Sequence, residues 1–276
     1  GEVFRLATTT PSAVRRVPIV LDAAGKEGSR FSTELVVANH GAKATTFRAT
    51  YTPAERFSGA GGGTVAHAAI ASFLGDTAEA MMQFSRILPA HIPRIALVDF
   101  NNDSVRDTLR VMETMFQRYM ELKDLGDETE AAKFILYGVR LDTSGSLRDV
   151  SVEPLGDPAL DLGVTPRLVF NVRQAMASAW EIWSIPDVWK EAARAYCRNV
   201  KIVVSGGFNP EKIRRFEKLG VPVDIYAVGS SLFNNNGTTV TDFTADVVRV
   251  KVHDEWIDMP KVGRRPLDNP NLERVW

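Results

Sequence analysis

Four short apolar runs in this chain each end in a polar or glycine-containing loop. They are Arg94-Ile95-Ala96-Leu97-Val98-Asp99, Tyr137-Gly138-Val139-Arg140-Leu141-Asp142, Ile202-Val203-Val204-Ser205-Gly206-Gly207 and Ile225-Tyr226-Ala227-Val228-Gly229-Ser230. Parallel strands covered on both faces read as continuous apolar runs, and α/β folds keep their chemistry at the C-terminal ends of such strands. Two of the ends carry a carboxylate and two carry glycine with a hydroxyl. Acid at one pair of loops, with backbone able to cradle phosphate at the other, points to a phosphorylated sugar as the ligand.

Helical patterns fill the intervals between these runs. Thr64 is placed to cap a helix carrying His67, Ile70, Ala71 and Leu74 on one face. Gly75 and Asp76 restart a second helix that runs through Leu88 and stops at Pro89. Ser104 is placed to cap a long helix whose Val105, Leu109, Met112, Met115, Phe116 and Tyr119 face the core. The charged run 124–130 reads as a solvated turn or helix face. Thr165-Pro166 opens a helix toward Trp183, Pro186 starts another that ends before Asn199, and Asn209-Pro210 begins one closed by Gly220. Repeated strand-to-helix alternation predicts a parallel sheet or barrel. The length available falls short of the roughly 250 residues of a full eight-stranded barrel, so the expected form is a partial or irregular (β/α) barrel.

The first part of the chain has a different character. Residues 17–21, 30–37 and 45–51 read as strands, two of them alternating apolar with polar, which suits a small antiparallel meander with one wet face. Residues 58–63, four of them glycine, read as a flexible linker. A P-loop is the poorer reading, because no Gly-Lys-Ser/Thr ending follows. The expected division is therefore residues 1–60 as a strand meander with its linker and 61–276 as an α/β barrel.

The chain has 276 residues, 45% of them hydrophobic, and a formal net charge of −1. A balanced, interspersed charge gives no support for a nucleic-acid surface. The one cysteine, Cys197, excludes an intrachain disulfide and a cysteine-rich zinc site, and it reads as a buried structural thiol. No apolar run approaches the roughly 18 residues of a membrane span. The first residues show no basic region followed by an apolar stretch, so no signal peptide is expected, and a cytoplasmic enzyme acting on small molecules is the expectation.

Five motifs fall in an order that resembles the nicotinate phosphoribosyltransferase family. They are Gly63-Thr64-Val65-Ala66-His67-Ala68, Leu97-Val98-Asp99, Gly138-Val139-Arg140-Leu141-Asp142-Thr143-Ser144-Gly145, Val204-Ser205-Gly206-Gly207 and Ala227-Val228-Gly229-Ser230-Ser231. Asp246-Val247-Val248-Arg249-Val250-Lys251 also resembles that family's closing strand, so the resemblance covers about residues 62–276. It implies the type II phosphoribosyltransferase barrel and the joining of nicotinate to phosphoribosyl pyrophosphate, giving nicotinate mononucleotide and pyrophosphate in NAD salvage. It further implies ATP coupling, Mg²⁺ and a homodimer.

The same resemblance assigns roles residue by residue. Asp99 and Asp142 would hold the ribose hydroxyls or the metal, and Arg140 would grip phosphate oxygens. Arg140 and Asp142, two apart on one strand, share a side whatever the family. Ser205, Gly206, Gly207, Gly229 and Ser230 would receive the 5′-phosphate, aided by the helix start after Asn209. His67 would take a phosphoryl group from ATP, although a lone histidine on an apolar helix face is ordinarily a packed core residue. No residue is assigned as a metal ligand, and His40, His91 and His253 receive no role.

The chain also departs from the family. Asp142-Thr143-Ser144-Gly145 stands where Asp-Ser-Gly-Asp is common, and Phe100-Asn101-Asn102 follows Asp99 where Thr-Tyr or Thr-Phe is usual. The family's N-terminal half is replaced by the strand pattern of residues 17–53, which looks like a repeat from exported β-sandwich proteins. Quinolinate or nicotinamide phosphoribosyl transfer is the alternative within enzymes. A truncated, non-catalytic binding module is the alternative outside them.

Overall fold

The computed structural model describes residues 64–228 and 246–266, together with the backbone of four short strands nearer the start. The chain divides into two compact units, one of residues 1–60, 249–258 and 265–276, the other of residues 61–248 and 259–264. In the first unit, β1 (Arg5–Ala7) pairs antiparallel with β2 (Val14–Arg16), and β3 (Asp22–Ala24) with β4 (Arg30–Ser32). The expected strands at 17–21 and 45–51, and the linker at 58–63, lie outside the described residues.

The second unit is mixed α/β. Its elements are α1 (His67–Ser72), α2 (Thr77–Ile87), β5 (Ile95–Leu97), α3 (Ser104–Asp124), α4 (Glu128–Ala131), β6 (Gly138–Leu141), α5 (Pro158–Asp161), α6 (Pro166–Ser178), α7 (Lys190–Asn199), β7 (Lys201–Val204), α8 (Pro210–Lys218) and β8 (Ile225–Tyr226). The four strands form one parallel sheet in the order β5-β6-β7-β8. Thr64 adds a parallel bridge to Ile95 on the free edge of β5. All four apolar runs are therefore strands of one sheet, with a crossover joining each to the next as parallel pairing requires. β9 (Arg249–Val252) and β10 (Glu255–Asp258) pair antiparallel and belong to the first unit.

Helix starts follow the side chains able to accept from free backbone N–H groups. Asp76 accepts from Glu79 N at 3.1 Å, Thr165 from Leu168 N at 3.3 Å and Asn209 from Lys212 N at 2.8 Å, the last two with proline in the first turn. Two expected caps are corrected. The long helix is capped by Asp103, which accepts from Arg106 N, so that Ser104 is its first helical residue. The first helix starts after Ala66 without a side-chain cap, because Thr64 is held in the bridge to β5.

The core lies between the sheet and the helices. α3 buries Val111, Met112, Met115 and Phe116 along one stripe. Phe116 stacks on Trp183 at 5.2 Å between ring centroids and meets the edge of Tyr196 at 5.1 Å. Met and aromatic residues at helical spacing are packing here. Cys197 is buried in the same layer, and burial pushes its thiol up to about 11.

Candidate active site

Register places the chemistry. Leu97 pairs with Arg140 and Leu141 with Val204, so two residues beyond Leu97 and one beyond each of Leu141 and Val204 bring Asp99, Asp142 and Ser205 to one level across the sheet. The ladder carries on past the strands through Val98 N to Arg140 O at 3.1 Å and Ser205 N to Leu141 O at 2.9 Å. The Ser205 hydroxyl donates to Asp142 Oδ1 at 2.9 Å.

His67 arrives from the other side of β5. Val65 N donates to Ile95 O at 3.3 Å, so the segment before α1 runs beside that strand and the helix opens with its imidazole against Asp99. His67 Nε2 lies 3.0 Å from Asp99 Oδ1, and Nδ1 lies 3.8 Å from Asp246 Oδ1. One ligand atom each from His67, Asp99 and Asp142 falls within 4.8 Å of the others. Residues quoted from three separate sequence motifs therefore share one small volume.

Asp99 is the buried member of this group, with its side chain 0% exposed. Its second oxygen, Oδ2, pairs with the ammonium of Lys261, which also donates to the Asp142 carbonyl oxygen at 3.1 Å. Burial pushes the Asp99 carboxyl up, but the hydrogen bond and charge of His67, together with those of Lys261, outweigh it and hold the group below the ordinary carboxylate range. Lys261 is held in turn by its neighbour, whose Val262 N donates to Phe100 O at 3.0 Å.

Arg140 and Asp142 keep partial exposure, at 22% and 27% of their side chains, with Arg140 Nη2 3.8 Å from Asp142 Oδ2. The two do share a side, as their spacing requires. Gly206 (φ +87°) and Gly207 (φ +71°) follow Ser205 in the left-handed region that favours glycine. A Cβ at Gly206 would stand 3.4 Å from Asp142 Oδ1, whereas Gly207 faces open space. Gly229 and Ser230 lie outside the described residues.

The segment after Asp99, where the chain departs from the family pattern, is committed to structure. Asn101 Nδ2 donates to Gly75 O at 3.0 Å and to Asp107 Oδ2 at 2.8 Å, and Asn102 Nδ2 donates to Arg148 O at 2.9 Å. Beyond Asp142, the Thr143 hydroxyl is buried and has no hydrogen-bond partner among the described residues.

Sequence reasoning missed two residues of this group, Lys261 and Asp246. Lys261 stands alone in Met259-Pro260-Lys261-Val262-Gly263, and a lysine in an uncharged stretch was the available signal. Asp246 opens the segment already likened to the family's closing strand, and its Oδ2 accepts from Arg264 Nε at 2.8 Å.

The Mg²⁺ that the resemblance implies does not fit these residues as a protein-held ion. Mg²⁺ takes oxygen ligands, and the cluster supplies an imidazole nitrogen with two carboxylates. Both Asp99 oxygens are already engaged, by His67 and by Lys261.

Parallel strands ending in a carboxylate, a carboxylate with arginine, and a hydroxyl beside paired glycines give this α/β protein a polar cluster at its strand ends. No family model matches the chain, and no curated protein matches it. Among solved structures it is similar to the crystal structure of nicotinate-nucleotide pyrophosphorylase from Pyrococcus furiosus, at 28% identity and a TM-score of 0.36, over 68% of this chain and 34% of that one. The chain thus spans about a third of that protein's length. Among the described residues no helix is long and apolar enough to cross a membrane.

Proposed function

We propose that the chain carries the phosphoribosyl-transfer centre of a nicotinate phosphoribosyltransferase, built on a partial (β/α) barrel. The observation that carries this reading is the convergence of His67, Asp99 and Asp142 within 4.8 Å, each from a different one of the ordered motifs. A set of chance matches has no reason to meet at one end of one sheet.

In this reading the partly exposed Asp142 faces the ribose, and its negative charge stabilises the cation that builds on the sugar carbon as pyrophosphate leaves. Arg140 beside it takes phosphate oxygens. The Gly206 and Gly207 backbone, with the start of α8 after Asn209, takes the 5′-phosphate. The Asp99 carboxylate accepts from His67 Nε2–H, and phosphoryl transfer would use the neutral ring, whose lone pair then lies on Nδ1. That lone pair attacks the γ-phosphorus of ATP, an Nδ1–P bond forms, the bond to the bridging oxygen breaks, and ADP departs.

The test is an end-point assay of the chain with phosphoribosyl pyrophosphate, Mg²⁺ and each of nicotinate, nicotinamide and quinolinate, with and without ATP. Nicotinate mononucleotide formed from nicotinate alone and increased by ATP is the expected result. A base-stable, acid-labile phosphoryl label absent from His67→Ala should accompany it. Turnover of quinolinate without ATP would replace this reading with the sister reaction, and no turnover of any base would overturn it.

A further inference from the structure

Each carboxylate around His67 comes with its own cation. Asp99 has Lys261, Asp142 has Arg140 at 3.8 Å, and Asp246 has Arg264 at 2.8 Å. The group is therefore balanced internally, although the positions of His67, Asp99 and Asp142 taken alone resemble a metal-binding triad. Lys261 is the decisive member. Its side chain is 3% exposed, and its ammonium touches the Asp99 carboxylate and the Asp142 carbonyl together.

We propose that Lys261 is the resident cation of this site, taking the place of a divalent ion and keeping the His67, Asp99 and Asp142 cluster free of metal. The physical basis is charge and solvation. An ammonium already desolvated against Asp99 supplies the positive charge that this carboxylate needs. Adding a divalent ion would require expelling a buried lysine from a protein shell, and no net negative charge remains to offset the second positive charge. Mg²⁺ gives up its water reluctantly and prefers substrate phosphates to protein cages. A divalent ion then associates with this chain only with the anion that it accompanies. Lys261 has a second effect as a positioning residue: Asp99 stays committed to His67, and Asp142 is left as the carboxylate that faces outward. The inference stands on the geometry of the cluster and does not depend on which base is transferred.

Removing the lysine should create a metal site, a gain that a merely structural ion pair would not produce. The experiment is titration of the full chain with Mn²⁺ and, separately, Zn²⁺, read by water proton relaxation and calorimetry without any phosphate compound. The wild type should show no saturable binding below about 1 mM. Lys261→Met should acquire one site, lost again in Lys261→Met with His67→Ala, while Lys261→Arg should stay metal-free. Saturable one-to-one binding by the wild type that His67→Ala removes, or a folded Lys261→Met chain that binds neither ion, would overturn the proposal. If Lys261→Met does not fold, reductive methylation of the wild type in the presence of Mn²⁺ decides. Lys261 should remain unmodified, and its modification would show that a metal displaces it.

Discussion

β5 has a buried charge just before it and another just beyond it, and the two are satisfied in opposite ways. Arg94 is 1% exposed, and its guanidinium donates to the backbone carbonyls of Ser85, Leu88, Pro89 and Ile92, where α2 ends. Those acceptors do not ionise and belong to one stretch of chain. Asp99, also 1% exposed, is satisfied by His67 and Lys261, two ionisable side chains from distant segments. A charge that neutralises helix-end carbonyls does a structural task, because removing it leaves only unmet acceptors. A charge held by other titratable groups is coupled to their protonation, and here the second ring nitrogen of His67 lies 3.8 Å from Asp246 Oδ1. Burial alone does not separate the two residues. The identity of their partners does.

The largest expected effect is at Asp99. Asp99→Asn leaves Lys261 as an uncompensated buried cation and should cost about 3–5 kcal/mol in urea unfolding. Adding Lys261→Met to that variant should recover most of the loss, because an apolar pair is often as stable as a buried ion pair. Failure of the double variant to recover would mean that the lysine is not the partner that matters. The Asp99 carboxyl lies lower in the folded chain than its unfolded value near 3.9. Its contribution is thus present above that value and lost as pH falls through the folded pKa. Acid unfolding should show the gap between wild type and Asp99→Asn closing only below about pH 4.

Arg94→Met should cost about 3 kcal/mol by denaturant melting, since charged hydrogen bonds to four carbonyls are lost. It should leave phosphoribosyl pyrophosphate affinity unchanged in the folded chain. A loss of affinity would dissolve the contrast between the two ends of β5. Gly206→Ala should cost a smaller amount, about 1–2 kcal/mol, for a non-glycine residue at φ +87°. Its Cβ would press on Asp142 Oδ1, so ligand affinity should fall more than stability suggests. The smallest effect is at Cys197. Burial holds its thiol at about 11, so Ellman's reagent at pH 8 should react slowly with the native chain and fast once it is unfolded. The folded value lies above the unfolded one, so any stability it contributes persists at neutral pH and is lost only as pH rises toward 11.

The sheet was legible because covered parallel strands leave an unbroken apolar signature, and all four runs became its strands, with β8 only half-buried. Helix starts at Asp76, Thr165 and Asn209 were legible because a capping side chain acts within its own turn. Thr64 misled for the complementary reason: a bridge to Ile95 fixes it, and a tertiary pairing leaves no local mark. Within the site, Arg140 and Asp142 could be read together because residues two apart on one strand share a side, whereas the contact of Ser205 with Asp142 comes from the pairing of β6 with β7. Lys261 could not, since its partners are Asp99 and Asp142, far away in the chain. The uncharged residues around it, Met259, Pro260, Val262 and Gly263, are the one local sign, and they do not name its partners.

The most direct test of the phosphosugar site is calorimetric titration of the full chain with phosphoribosyl pyrophosphate and Mg²⁺, in parallel with Asp142→Asn. Saturable binding by the wild type, weakened at least about tenfold in a variant that melts normally, is the predicted result, equal to about 1.4 kcal/mol. A folded wild-type chain that binds nothing, or an Asp142→Asn chain that binds as tightly as the wild type, would contradict the account.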